Sequence, residues 1–392
     1  MKSSNIPDYD IAIIGGGAAG MAAAVTARIA SRGASIVILE KNDKLGKKLY
    51  ATGNGRCNLS NVRAYGCWDV VFMFEEIGMM CTEDNEGRMY PASELAGDAV
   101  FFLEDFIRNH DVDVMTGTAV ESVEPAPAGG YLIRSGDITV HATNVLLAPG
   151  GKAGPMYGTT GDGYLMAKKL GYELSPVYPA LTGIETNVKS LKGVRMRALV
   201  KLLRKGEVIY EEFGQVQFTD YGMSGIVIMN ASALVELKDG LSFNDYELVL
   251  DFVPDRIDAE LNALLGHRIE KGVSALRGFV PEKLAAHIQA QADSVFEDEK
   301  NSKSEQQVYF DSLRGMRFQV TGVHGWKGAQ CTCGGVKLDQ VFERTMASRL
   351  HKGLYFAGEI LDECYPCGGF NLTQAFFTGL KAGKAMALAV RK

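Results

Sequence analysis

No stretch of the 392 residues stays apolar long enough to cross a bilayer. Met1 to Tyr9 is short and polar, without the apolar core of a secretory signal. Both absences lead us to expect a cytoplasmic protein. Cysteine is scarce: seven in the whole chain, an odd number, which suits reduced thiols better than a disulfide framework. There is no long run of lysine and arginine, and the formal net charge is -6. That argues against a nucleic acid or an anionic membrane as partner and leaves a small-molecule substrate as the expectation. Oligomeric state is not legible. What is plentiful is ordinary: 46% hydrophobic and 22% charged residues make a folded chain, long enough for more than one domain.

The most informative stretch is Asp10 to Glu40. Ile11-Ala12-Ile13-Ile14 is a short apolar run that reads as a buried parallel strand. Gly15-Gly16-Gly17-Ala18-Ala19-Gly20 follows at once in the G-x-G-x-x-G pattern, then an Ala-rich helix from Met21, then a second apolar strand, Ser35 to Leu39, closed by Glu40. In such a unit Gly15 makes the tight turn, Gly17 lets the backbone approach a pyrophosphate, and Gly20 lets helix and strand pack closely. The helix N-terminus offers unpaired N–H groups to phosphate oxygens. Glu40 is placed to accept hydrogen bonds from ribose hydroxyls. The whole order of elements points to dinucleotide binding; the motif alone does not separate FAD from NAD.

Further along, Lys41 to Leu49 is a basic loop, either a solvated surface or cationic support for a pyrophosphate. Ala51 to Asn61 is dense in Gly and Asn, so its backbone can turn left-handed and its N–H groups can line a ligand. Arg56 and Cys57 inside it are site candidates, Arg56 as a holder of an anion or developing enolate. Asp69 to Gly78 and Ala96 to His110 read as helices. Thr139 to Ala142 and Thr143 to Leu147 read as two strands, the second leading into Ala148-Pro149-Gly150-Gly151. From about Leu174 the texture becomes β-rich, with an apolar helix Ile226 to Leu237, helices at Asp258 to Lys271 and Glu282 to Phe296, and a polar connection Glu297 to Gln307 that reads as mobile. The last third returns to a strand ending in Gly358-Glu359, then Gly368-Gly369-Phe370-Asn371 opening a long helix.

At these residues the chain resembles the BaiN-type, HI0933-like flavoproteins, a group of NAD(P)/FAD-dependent oxidoreductases distantly related to fumarate reductase flavoproteins. The pieces that carry the resemblance are the glycine turn with Glu40, Lys47 to Asn58 with its Thr-Gly-Asn-Gly-Arg-Cys-Asn block, Ala148 to Gly151, Phe218 to Gly225, Gly334-Gly335-Val336 and Gly353 to Asn371. The resemblance implies an α/β fold: a Rossmann-like, glutathione-reductase-type FAD-binding domain (1–180 and 322–392) interrupted by an inserted β-barrel-like domain (181–253 and 305–321) with a small helical subdomain (254–304). It implies FAD held at Gly15, Gly17, Gly20, Glu40, Lys48, Gly53, Gly358, Glu359 and Asn371, with Ala18, Ala19, Lys41, Asn54, Gly55, Cys57, Asn58, Ala148, Gly150, Gly369 and Leu372 as further cofactor contacts. NADH or NADPH would be the transient electron donor.

One departure concerns Cys331-Thr332-Cys333 and Cys364-Tyr365-Pro366-Cys367. The two pairs read as inert buried thiols, as redox-active dithiols, or, least in keeping with their spacing, as metal ligands; we expect no metal. The expected activity is reduction of an activated C=C bond, an enone of the bile-acid kind, with Arg56 at the carbonyl oxygen and Tyr221 or Tyr365 as proton donor. His324 and Arg317 are outside candidates. The alternatives are an oxidase of amines or alcohols, a dithiol reductase using Cys364 and Cys367, and a flavin-binding protein without catalysis.

Overall fold

The computed structural model describes residues 6–237, 240–272, 274–296 and 303–390. The chain divides into two compact units, one formed by Met1–Tyr178 with Gln330–Lys392, the other by Pro179–Ala329.

In the first unit, strand β1 (Asp8–Ile14) lies at the centre of a parallel sheet. Ile11 to Ile14 are all buried, so both faces of the strand are covered, which is why it is a continuous apolar run rather than an alternating one. β1 pairs in parallel with β2 (Ile36–Leu39), Ile11 opposite Ile36, and on its other side with Ile138–Leu147, Ile14 opposite Leu147. Val112–Met115 extends the sheet beyond β2, and Leu354–Phe356 beyond Ile138–Leu147, both parallel. The two strands expected between Thr139 and Leu147 are one, Ile138–Leu147. Its polar Asn144 is buried, and Nδ2 donates to Asp10 O at 3.2 Å, so the amide is satisfied inside the sheet.

Helix α1 (Ala18–Ala30) buries Ala19, Ala22, Ala23, Ala24 and Ala27. Small side chains on this face let the C-terminal helix, Phe370–Val390, come to backbone contact. A Cβ on Gly379 would stand 2.2 Å from Ala19 O, and one on Gly383 2.2 Å from Ala23 O. The chain's two ends are thereby packed into one core, which also holds Phe74 edge-on to Phe376 at 5.2 Å.

The second unit is a closed antiparallel barrel. Its six strands run in the order Ile184–Thr186, Gly222–Ser224, Glu207–Phe218, Arg195–Arg204, Tyr246–Asp251, Met316–Val323, and the last pairs back to the first. Along Arg195–Arg204 the period of two is plain: Ala198, Val200 and Leu202 point inward and are buried, while Arg195 and Arg197 face out. Helices Asp258–Glu270, Glu282–Phe296 and Glu305–Gly315 contribute Leu261, Leu265, Leu284, Ile288 and Leu313 to the same core.

Two expectations need correction here. The helix expected over Ile226 to Leu237 ends at Ser232. Of the polar stretch Glu297 to Gln307, residues 297–302 lie outside the described residues, but Glu305 starts a helix. Ser304 caps it, its hydroxyl accepting from the Gln307 N–H at 3.2 Å. A polar sequence hid that helix because only Val308, Tyr309 and Leu313 of it are buried. Among the described residues no helix is long and apolar enough to cross a membrane.

Candidate functional site

The glycine turn between β1 and α1 is held by close backbone contact on two sides. Gly15 has φ +103°, and a Cβ there would lie 2.3 Å from Ala148 O; a Cβ on Gly20 would lie 1.9 Å from Gly15 O. Gly17 is different. Its φ of -84° suits any residue, and a Cβ would meet nothing within 4 Å. The glycine at this position leaves open space in front of the α1 N-terminus, and no side chain caps that end and no acid occupies its first turn. An uncapped, acid-free helix end facing open space fits an anionic pyrophosphate, so the residues present suit FAD.

Glu40, at the end of β2, braces this turn. Its Oε2 accepts the Gly16 N–H at 2.7 Å, and its Oε1 accepts both the backbone N–H and the Nδ2 of Asn42, each at 2.7 Å. A carboxylate has about four acceptor sites, so capacity for a ribose hydroxyl remains. Lys41 turns to Asp162 and Thr160, with both contacts at 2.6 Å. Asp162 is the first residue of helix Asp162–Lys169. Burial raises its carboxyl pKa, but the Lys41 and Thr160 hydrogen bonds outweigh this and hold it below its usual range.

Lys48 and Glu359 come from opposite ends of the sequence and form an ion pair at 2.7 Å. The other oxygen, Oε1, accepts the Thr332 N–H at 2.9 Å. The buried Thr332 hydroxyl in turn accepts the N–H groups of Lys152 and Ala153 at 2.8 and 3.0 Å. This ties the Gly150-Gly151 turn to Gly358-Glu359, and a Cβ on Gly151 would collide with Thr332 Oγ1 at 2.4 Å. Burial works against the charge on Lys48, but Glu359 more than compensates, and its pKa is raised. With the folded value above the unfolded one, the pair's stabilisation is complete below the unfolded lysine pKa of about 10.4 and is lost as pH climbs through the folded value. Glu359→Gln is therefore expected to cost about 1–3 kcal/mol near neutral pH, discounted because both side chains keep some solvent contact. Thermal melts of the two proteins should begin to converge as pH rises past the unfolded lysine value of about 10.4 and meet only above the raised folded value; a gap that does not narrow over that rise would contradict the assignment.

The Gly/Asn-rich loop is strongly turned. Gly53, Asn54, Gly55 and Cys57 all have left-handed backbone, with φ of +57°, +55°, +85° and +57°. Gly53 packs on Asn58, whose backbone N would be 2.8 Å from a Cβ. Arg56 sits 4.7 Å over the Tyr90 ring and is loosely paired with Glu94 at 3.4 Å. Cys57 is fully buried, and burial pushes its thiol up to about 11, which suits packing more than chemistry at the sulfur.

This loop meets the N-terminus of the C-terminal helix. A Cβ on Gly369 would stand 2.4 Å from Ser60 O, the Asn61 amide donates to Gly368 O at 2.9 Å, and Ser60 and Thr373 hydroxyls pair at 2.9 Å. Asn371 clamps the preceding loop: its Oδ1 accepts the Tyr365 N–H at 2.9 Å and its Nδ2 donates to Tyr365 O at 2.7 Å. No acid stands in the helix's first turn. Leu372 packs against the core, and the Gly358 N–H donates to the Thr378 hydroxyl at 2.9 Å. Ala18 and Ala19 open α1, and Ala148 extends the sheet by donating its N–H to Ile14 O at 2.9 Å.

Tyr365 donates its hydroxyl to Glu363 at 3.4 Å, and Gln374 donates to the same carboxylate. Burial raises the Glu363 carboxyl pKa, and burial followed by Glu363 raises that of the Tyr365 phenol. In the barrel unit, Tyr221 stacks on His324 with centroids 3.8 Å apart and planes 7° off parallel; His324 Nδ1 lies 3.5 Å from Glu185. Gly183 makes room for the Tyr221 ring, which a Cβ would meet at 2.4 Å. Arg317 is paired with Glu247 on the neighbouring strand.

The four late cysteines lie in the first unit, and none is joined in a disulfide. A hydrogen bond to Cys333 together with burial raises the Cys364 pKa far above the ordinary range. Burial, then Glu359, does the same to Cys331, with Lys48 opposing. Such thiols stay protonated at neutral pH and are slow in exchange. Among the described residues no group of three or more His, Cys, Asp or Glu is disposed to hold a metal ion. Sequence reasoning missed Thr332, Asn42, Asn61 and Glu363. Thr332 lies between two cysteines that drew attention for their own sake, and the others acquire meaning only through long-range partners.

The chain matches the HI0933-like protein Rossmann domain family over residues 9–66 and 61–385. It is 32% identical over 407 aligned residues to a 3-dehydro-bile acid delta(4,6)-reductase of Clostridium scindens, covering 96% of this chain and 98% of that protein. It is 27% identical to a ribosomal RNA dihydrouridine synthase of Escherichia coli, covering 94% and 95%. Its fold is similar to that of a flavocytochrome c3 fumarate reductase, with a TM-score of 0.53 at 15% identity over 98% of this chain and 79% of that one. A family match along nearly the full length and a relative above 30% identity make this chain a member of the HI0933-like Rossmann family, a BaiN-like flavoprotein of the oxidoreductase class.

Proposed function

We propose that the protein is a flavin-dependent reductase that saturates a C=C bond conjugated with a carbonyl group, drawing electrons from NADH or NADPH. The observation that carries this reading is the chemistry its relatives share. A delta(4,6)-reductase of a 3-dehydro bile acid and a dihydrouridine synthase both add two hydrogens across a double bond made electron-poor by a carbonyl. Bound FAD would supply the hydride chemistry, taking hydride from NAD(P)H and delivering it to the carbon β to the carbonyl.

The chain's own residues bind, orient and move the proton. Gly15, Gly17 and Gly20 with the α1 N-terminus hold the pyrophosphate, and Glu40 the ribose. Lys48, Glu359, the Gly53–Asn58 loop and Asn371 frame the rest of the cofactor. Arg56 stabilises negative charge on the carbonyl oxygen, for which its weak pairing leaves it available. Tyr365, in the same compact unit as Arg56 and with its hydroxyl on Glu363, is the candidate for giving the proton to the carbon next to the carbonyl. An enone of the bile-acid kind is the first substrate class. A uracil base in RNA is the second, favoured by a relative that covers nearly the whole chain. A cytoplasmic setting, where thiols stay reduced, suits this reading.

Stopped-flow absorbance tests it. Rapid flavin bleaching by NADH or NADPH, fast return with an enone and slow return in air are expected. Arg56→Ala should slow the enone step about 100-fold and leave bleaching unchanged. Bleaching by an amine or alcohol with fast return in oxygen would make the protein an oxidase instead. No bleaching by any donor would leave only flavin binding.

A further inference from the structure

We propose that the outer face of the barrel strand Arg195–Arg204, together with the loop that precedes it, is a docking surface for looped or single-stranded RNA. The net charge of -6 averages over a segment of opposite sign. Between Thr186 and Gly206 the chain carries seven lysines and arginines and no acid. The β-period sorts them: Arg195 and Arg197 stand on the outside because Ala198, Val200 and Leu202 take the inside. Two of the seven are neutralised, Lys192 by Asp220 at 3.1 Å and Lys201 by Glu211 at 2.9 Å. A third, Lys205, lies close enough to Asp245 to help lower its pKa. At the other end Lys283 reaches back, its Nζ donating to Lys192 O at 2.6 Å, and adds charge beside the loop. Lys189, Arg195 and Arg197 are exposed and, among the described residues, form no ion pair.

Their neighbours decide the kind of polyanion. On the paired strand Gln217 stands opposite Arg195 and Gln215 opposite Arg197. The Arg197 guanidinium lies 4.6 Å over the ring of Phe213, which is itself exposed. Guanidinium groups meet phosphates, amides meet base edges and ribose hydroxyls, and an exposed ring offers a stacking face. An anionic membrane would instead favour apolar side chains between the cations, and amides occupy those places. Strand pairing brings Glu211 opposite Lys201 and Asp251 opposite Leu199, and Asp220 pairs with Lys192 in the loop; none of these acids stands opposite Arg195 or Arg197, whose partners are Gln217 and Gln215. The inference leans on the proposed reduction chemistry only for what would be done to the RNA; binding is a separate property.

The test is fluorescence anisotropy of a fluorescein-labelled, uridine-rich RNA hairpin with the full-length, FAD-loaded protein between 50 and 200 mM salt. Binding should weaken with salt. Arg195→Ala with Arg197→Ala should lower affinity at least tenfold and reduce the log–log salt slope by about 1.5, while Arg→Lys at both positions keeps most of the slope. Reoxidation of the bleached flavin by a small enone should be the same in wild type and both variants. No binding at 50 mM salt, affinity indifferent to the alanine pair, or preference for phosphatidylserine vesicles or duplex DNA over the hairpin would each overturn the proposal. Failure of every enone to reoxidise the flavin would count against the reduction chemistry alone, because the anisotropy reads RNA binding directly.

Discussion

Gly17→Val is expected to give a folded protein that purifies without colour. The usual objection to replacing a turn glycine is that the turn itself breaks. That objection does not hold here. Gly17 has φ -84°, open to any residue, and an added Cβ touches nothing of the protein within 4 Å. The melting temperature of the cofactor-free variant should match cofactor-free wild type within a few degrees, as an unopposed surface substitution costs within about 0.5 kcal/mol. The space that the valine methyls fill is the space in front of the α1 N-terminus, where we place the pyrophosphate. Affinity for FAD should fall at least about a hundredfold, near 2.7 kcal/mol. Gly20→Val is the contrasting variant: its Cβ would sit 1.9 Å from Gly15 O, so it should lose fold and cofactor together. A Gly17→Val protein that is yellow at full occupancy would show that the cofactor lies elsewhere.

The second large effect concerns the join between the two ends of the chain. Gly379→Val is expected to lower the melting temperature of the cofactor-free protein by roughly 6–12 °C, from an overpacking cost of about 3 kcal/mol in a unit of this size. The clash is with backbone, Ala19 O at 2.2 Å and Ala19 C at 3.0 Å, and cannot be relieved by turning a side chain. The helices must separate instead, and α1 carries the glycine turn with it, so FAD retention should fall as well. Gly383→Val, against Ala23 O at 2.2 Å, should behave alike. Calorimetry on both variants decides the matter: transitions within 2 °C of wild type would mean that this helix contact is not as close as described.

Local order in the sequence was enough for the nucleotide-binding half of the molecule. The strand from Ile11, the glycines, the alanine helix and Glu40 form a contiguous unit, and each step is dictated by short-range chemistry: β-branched residues for the buried strand, glycine for backbone approach, alanine for close helix packing. Chain composition also announced that the middle third departs from this plan. Other features were out of reach. The helix Glu305–Gly315 has too few buried positions to show a period, and the two strands read between Thr139 and Leu147 are one, Ile138–Leu147. The sign of the charge on the barrel's outer face was masked by the chain's average, since strand pairing decides which cations are neutralised.

The sequence by itself determined that a glycine turn, a helix N-terminus and an acid-tipped second strand would stand together, because those residues are neighbours in the chain and their geometry is local. Tertiary structure alone decided that Lys48 would pair with Glu359 across 311 residues, that Thr332 would bind the Gly151 turn, and that Asn371 would clamp Tyr365. Each of those contacts depends on how sheet and helices bring distant segments into hydrogen-bonding reach, and no local pattern of residue types encodes which partner will be found.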